Sequence, residues 1–223
     1  MSYSKGTSRK ALLMESLQSF FSDSKNIITI IPIIINNRKI SLRIIDWFVT
    51  NYSKKYNISY LLNSNTKDIV SKETDYDPIY CKEFVVYLNY KLQLKAYSKD
   101  QFDPFCRRSR LNFFYDPDKV REYINKNNLD VPNILNYLEE NTENCFVTTS
   151  GQLNFFRWII KNNIIDYIMN NLKDIETDMN SCYKKHYDKN KKNKNKRKKR
   201  HELCVSASKS LSKSNVKVIL TFN

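Results

Sequence analysis

The stretch from Thr148 to Ile168 constrains this chain most. Thr148, Thr149 and Ser150 offer side-chain oxygens that can cap a helix, accepting from amides that have no partner inside it. Leu153, Phe156, Ile160, Ile164, Ile165 and Ile168 then recur at helical spacing, and Phe155, Trp158 and Ile159 widen the stripe. An apolar face that broad must be buried on several sides, so the spacing predicts a core helix or helix pair at the centre of the fold. Gly151 is one of only two glycines in the chain.

Other segments arrange themselves around that block. From Ser8, the apolar positions Leu12, Leu13, Leu17, Phe20 and Phe21 predict a helix ending near Ser22-Asp23-Ser24, after a frayed terminus over 1–7. Ile27 to Ile35 is β-branched and reads as a buried strand, moved toward an edge or bulge by Pro32. Asn36-Asn37 signals a turn. Ile40 to Tyr52 favours a helix. Residues 63–82 are polar, contain Asp77-Pro78 and predict a loop with a short helix. Phe84 to Ala96 reads either as one strand or as a strand to about Leu88 followed by a helix. Phe102-Asp103-Pro104-Phe105 breaks the pattern, because proline disfavours helix in the residue before it. Arg110 to Tyr115 predicts a strand. Asp116-Pro117 has the chemistry of an N-cap and first helical residue, and Asp130-Val131-Pro132 opens a further helix. Cys145 to Thr148 is a short strand leading into the central helix, and 164–178 continues that helix or packs beside it. The expected fold is therefore α+β: one globular domain over 8–182, a small sheet packed with several helices, and a basic flexible tail over 183–223.

Charge is distributed unevenly. Residues 184–200 hold eleven Lys or Arg against Asp188, so this segment supplies +10 of the formal +15 and the rest of the chain +5. Almost nothing apolar occurs over 183–202, which predicts a solvated, mobile segment. Val216 to Phe222 alternates again, either as a returning strand or as more of the tail. Lys191, Lys192, Lys194, Lys196, Arg197, Lys198, Lys199 and Arg200 would displace counterions from phosphates, giving salt-sensitive, sequence-blind binding to DNA or RNA. Nuclear import, or a merely solvated tail, are the competing readings of the same residues.

A second basic cluster, Arg107, Arg108 and Arg110, follows Lys91, Lys95 and Lys99 and sits among Phe102, Phe105, Phe113, Phe114 and Tyr115. Guanidinium on phosphate and ring on base is the combination that single-stranded nucleic acid requires. Against it stands the expectation that most aromatics of a single domain are core. Cys182, His186, His201 and Cys204 form C-x3-H-x14-H-x2-C, a permissible zinc spacing. The order departs from the usual finger, and the intervening loop lacks a finger's apolar core, so free thiols and solvated imidazoles are expected instead. The odd number of cysteines, five, and a polar N-terminus favour reduced thiols and an intracellular setting. The longest apolar run, Ile27 to Ile35, is too short to span a bilayer, so no membrane partner is expected.

For enzymes the indications are mostly negative. Neither glycine belongs to a phosphate-binding loop, and no histidine outside the tail can serve a triad. Asp116 is better explained as a cap, and Glu139 with Glu140 as a solvated helix face. A two-metal nuclease built on dispersed acids, including Asp75 and Asp77, is the remaining enzyme reading. No catalytic residue and no cofactor are assigned.

Four blocks carry a family resemblance: Ile40 to Tyr52, Tyr90 to Lys99, Phe102 to Arg108, and Thr148 to Trp158. Together they resemble an uncharacterised protein family of nucleocytoplasmic large DNA viruses, the mimivirus-like giant viruses. The resemblance spans roughly 8–180 and leaves out the tail. It implies a setting, the cytoplasmic virus factory or the virion, and roles in transcription, genome handling or packaging, with other viral proteins as partners. It implies no site. The residues themselves favour a non-catalytic nucleic-acid-binding accessory protein, with a structural or interaction protein as the rival.

Overall fold

The computed structural model describes residues 8–35, 40–66, 68–70, 79–105 and 109–192, with 185–192 described by their helical backbone only. The chain divides into two compact units, Met1–Ser181 and Cys182–Asn223.

Helix α1 (Arg9–Phe21) starts where expected, because the Ser8 hydroxyl accepts from the Ala11 amide. It buries Leu13, Leu17 and Phe21, one turn apart. Ile27 to Ile35, expected as a strand, instead forms most of helix α2 (Ser24–Ile34) and its C-cap, Ile35. Asp23 caps it by accepting from the Lys25 amide at 2.9 Å. Isoleucine disfavours a helix by only about 0.5 kcal/mol per residue. Burying one is worth about 1.5–3 kcal/mol. Ile27, Ile28, Ile30, Ile31 and Ile33 are all buried, so packing outweighs propensity. Pro32 lies inside the last turn, where it forfeits one intrahelical bond before the helix ends.

A helical stretch follows as the spacing predicts: α3 (Leu42–Trp47), a wider π turn (Phe48–Tyr52) and α4 (Ser53–Lys55). Strands β1 (Ser59–Asn63), β2 (Ile69–Val70) and β3 (Cys81–Val85) form an antiparallel sheet in the order β2-β1-β3. The described part of 63–82 thus contributes strand where a loop with a short helix was expected; Asp75, Asp77 and Pro78 lie outside the described residues, as do Asn36 and Asn37. The ambiguous segment resolves as strand then helix, β3 giving way to α5 (Val86–Ala96). Helix α6 (Lys99–Phe102) stops before Pro104.

Strand β4 (Arg110–Phe114) pairs antiparallel with β5 (Cys145–Thr149). Between them run α7 (Pro117–Lys126), capped by Asp116, and α8 (Pro132–Glu140). Helix α9 (Ser150–Lys161) is the core helix anticipated from its sequence; Thr149 caps it, its hydroxyl accepting from the Gln152 amide at 3.1 Å. It packs against α1, α2, α6, β5 and α10 (Ile164–Asn170). Gly151 permits the approach of α6: a Cβ there would stand 2.8 Å from the Asp100 carbonyl oxygen and 3.1 Å from that of Asp103. The Asn154 side-chain amide closes the same junction, donating to the Gln101 carbonyl at 2.8 Å. Phe102, Phe155 and Trp158 meet there edge to face or tilted.

Helix α11 (Leu172–Lys192) runs past the 182/183 boundary into the basic segment, its backbone helical through Lys192. Lysine is among the better helix formers, so a lack of apolar residues does not by itself end a helix. The expected strand over 216–222 and the terminus 1–7 lie outside the described residues.

Candidate nucleic-acid interface

The β4–β5 hairpin places the chemistry that the sequence singled out. In its register Arg110 faces Thr149, Asn112 faces Val147 and Phe114 faces Cys145. Directly opposed residues share a side of the sheet, and successive residues alternate. Phe113 and Phe146 therefore point inward, where both are buried and their rings lie 5.5 Å apart. Arg110, Asn112, Phe114 and Val147 share the other side, and all four are exposed. Phe114 is 68% exposed and Val147 58%; Phe105, beyond α6, is 50% exposed. Arg110 makes no ion pair among the described residues. A shallow groove of about 320 Å³ runs beside it, lined by Pro104, Phe105, Arg110, Val147, Thr148 and Gln152 among others. In its wall the Thr148 hydroxyl donates to Gln152 Oε1 at 2.8 Å.

The aromatics expected as core are thus divided. Phe102 and Phe113 are core, Tyr115 is half-buried, and Phe105 and Phe114 face outward. The strand itself carried a signal for this. Two adjacent phenylalanines in a strand point to opposite sides, so helices covering one side cannot bury both.

Of the predicted basic residues, Arg110 opens β4, while Arg107 and Arg108 lie outside the described residues. Lys91 and Lys95 are exposed on α5, and Lys99 pairs with Asp103 at 3.7 Å. Lys191 and Lys192 are in α11. Lys194, Lys196, Arg197, Lys198, Lys199 and Arg200 lie outside the described residues. Of the zinc spacing, Cys182 is a half-exposed free thiol in α11 and His186 belongs to the same helix; His201 and Cys204 lie outside the description. Among the described residues no three His, Cys, Asp or Glu side chains are grouped to hold a metal ion. Asp116 serves as a cap, accepting from the amides of Lys119 and Asp118 at 3.2 and 3.1 Å; those bonds hold its carboxyl below the usual range. Glu139 and Glu140 are exposed at the end of α8.

Elsewhere charge is internally spent. Asp178 of α11 is buried and accepts from the Trp47 indole at 3.1 Å, the Tyr56 hydroxyl at 3.2 Å and the Lys55 ammonium. Burial pushes its carboxyl up, but the bonds from Lys55, Trp47 and Tyr56 outweigh burial and hold it below the usual range. The same contact raises the Lys55 ammonium. Asp46 behaves oppositely: burial, helped by the nearby Asp103 charge, pushes its carboxyl up to about 6.

Comparison with known proteins agrees with the resemblance and extends it. The profile of a family of unknown function, DUF7197, matches residues 4–131 and 130–221, so the match reaches into the basic segment. "Uncharacterized protein L507" of Acanthamoeba polyphaga mimivirus is 37% identical over 186 residues, covering 83% of this chain. The chain spans 59% of that relative's length. No solved structure matches. Among the described residues no helix is long and apolar enough to cross a membrane. The chain belongs to the family DUF7197 and is an α+β protein of the large-DNA-virus kind.

Proposed function

We propose that this chain is a non-catalytic accessory protein that binds single-stranded nucleic acid, serving transcription, genome handling or packaging in the virus factory or virion. One observation carries the reading: an exposed arginine, Arg110, that no carboxylate of the described residues neutralises shares a groove with the exposed Phe105, and a second exposed ring, Phe114, stands four residues along the same strand. A base stacked on an aromatic ring contributes about 1–3 kcal/mol whatever its identity. The guanidinium adds a phosphate contact. The Lys/Arg-rich segment over 184–200 supplies sequence-blind affinity that falls with salt, at about 0.7 units of logarithmic slope per phosphate for a single strand.

Fluorescence anisotropy of a labelled single-stranded oligonucleotide, titrated with the full chain across a salt series, tests this. The expected result is saturable binding with a steep salt slope. Arg110→Ala combined with Phe114→Ala weakens it about tenfold, the equivalent of 1.4 kcal/mol. Replacing the lysines and arginines of 191–200 by Gln flattens the slope. Failure of the unaltered chain to bind at low salt sinks the reading.

A second reading, docking on other viral proteins, draws on α5, where Leu88 and Leu92 stand one turn apart and are 60% and 59% exposed. Leu88→Lys would abolish such an interaction and leave oligonucleotide binding unchanged.

A further inference from the structure

On the side of α9 turned away from the groove, α1, α5 and α9 enclose a polar cleft of about 690 Å³. That volume lies within the range of small-molecule sites, about 300–1,000 Å³. Gln152 lines the groove, whereas Asn154, Arg157 and Lys161 line the cleft. At about 100° per residue the latter three stand on the opposite side of the helix from Gln152.

The chemistry of the cleft is lopsided. Arg157 Nη1 donates to Ser16 Oγ at 2.8 Å, and Nη2 to Asn154 Oδ1 at 2.6 Å. All its side-chain partners are neutral, and no carboxylate of the described residues lies within 4 Å. A guanidinium has five N–H donors, so these contacts fix its plane and leave donors and the full charge facing the cleft. The Trp158 indole donates to Asn89 Oδ1 at 2.8 Å. An indole N–H only donates, so Asn89 must present its oxygen there and is left with its NH2 for the cleft. Gln93, one turn further along α5, brings a second amide, and Lys161, one turn along α9 from Arg157, also lines the cleft, its ammonium 5.5 Å from the centre of the Phe20 ring. Arg157 is half-buried, where an uncompensated charge attracts a counterion more strongly than on an open surface.

We infer that this cleft is a second binding site, for a compact oxyanion: the phosphoryl or carboxylate group of a small molecule, held by Arg157 with amide donors from Asn89 and Gln93. It is independent of the nucleic-acid face, since Arg110 and Phe114 take no part in it.

Isothermal titration calorimetry of the full chain at low ionic strength, with inorganic phosphate in one arm and succinate in the other, tests the site. The arm that saturates at one equivalent identifies the group. Arg157→Gln weakens that binding at least tenfold. Gln93→Glu, which removes no hydrogen bond described within the fold, does the same while leaving the melting temperature in place. Arg110→Ala leaves binding unchanged. The inference is overturned if neither anion saturates, or if the Gln93→Glu chain, folded as judged by its melting temperature, binds as tightly as the original. It is also overturned if binding disappears only when the lysines of 191–200 are replaced.

Discussion

The two small sheets expose different chemistry. In β2-β1-β3 the exposed positions are Ser59, Lys82 and Glu83, and the Ser59 hydroxyl donates to Glu83 Oε1 at 2.8 Å. Tyr60, Leu62 and Phe84 lie buried beneath. The β4–β5 hairpin buries Phe113 and Phe146 in the same manner but presents Phe114, Val147 and Arg110 to solvent. On the first sheet the exposed positions are polar, and the apolar residues that share a side with Ser59 and Glu83, Leu61 and Cys81, are buried. On the second, by contrast, exposed positions include a phenylalanine, a valine and an arginine. The proposed nucleic-acid role rests on that difference in exposed chemistry.

The largest effect that sharpens the contrast comes from one pair of neighbours. Phe113→Ala removes a ring packed against Phe21 and Phe146 and should cost about 3–5 kcal/mol in denaturant unfolding. Phe114→Ala, one residue on, should stay within about 0.5 kcal/mol. Equal losses would mean that the outer ring packs after all. Next comes Gly151→Ala, which drives a methyl group into the carbonyls of Asp100 and Asp103 and should cost about 1–3 kcal/mol. Because α6 leads into Phe105, the same variant should weaken oligonucleotide binding as well; binding unaffected by a destabilised α6 would detach Phe105 from the interface. Third, Arg110→Ala should cost about 1 kcal/mol of oligonucleotide affinity, while Lys82→Ala on the other sheet changes nothing. The smallest effect is one of pH. The Asp46 carboxyl is raised in the fold to about 6 from an ordinary 3.8. The native state therefore holds its proton longer than the unfolded chain, so stability declines as pH rises from about 4 to 6 and is level above that. Asp46→Asn should flatten that decline, about 1 kcal/mol once the partial exposure of Asp46 is allowed for.

Features set by a few adjacent atoms were legible in the sequence. Ser8, Asp116 and Thr149 cap the helices that follow them because a side-chain oxygen meets an amide two or three residues on, whatever the rest of the chain does. The breadth of the apolar stripe from Leu153 to Ile168 likewise required a core position. Features set by distant partners were not legible. Ile27 to Ile33 has no period to betray it when every side is covered, and only the neighbouring helices make it helical. Arg110 stands exposed, but its phosphate-binding role is the proposal above, and Phe105 and Phe114 were set apart from Phe102 and Phe113 only by which side the helices cover. The cleft around Arg157 depends on Ser16, Asn89 and Gln93, which stand 64 or more residues before it in the chain. Nothing in their local spacing joins them.

If bases stack on the outer face of the hairpin, as proposed, tryptophan emission reads it directly. In Phe114→Trp the added indole reports from that face, and the native Trp47 and Trp158, both with their N–H groups bonded inside the fold, give a background subtracted with the unaltered chain. Emission quenched saturably by a single-stranded oligonucleotide, at the concentration where anisotropy saturates and not by polyphosphate, is the predicted result. Anisotropy that saturates while the added emission stays constant would contradict the account and leave all binding to the basic segment.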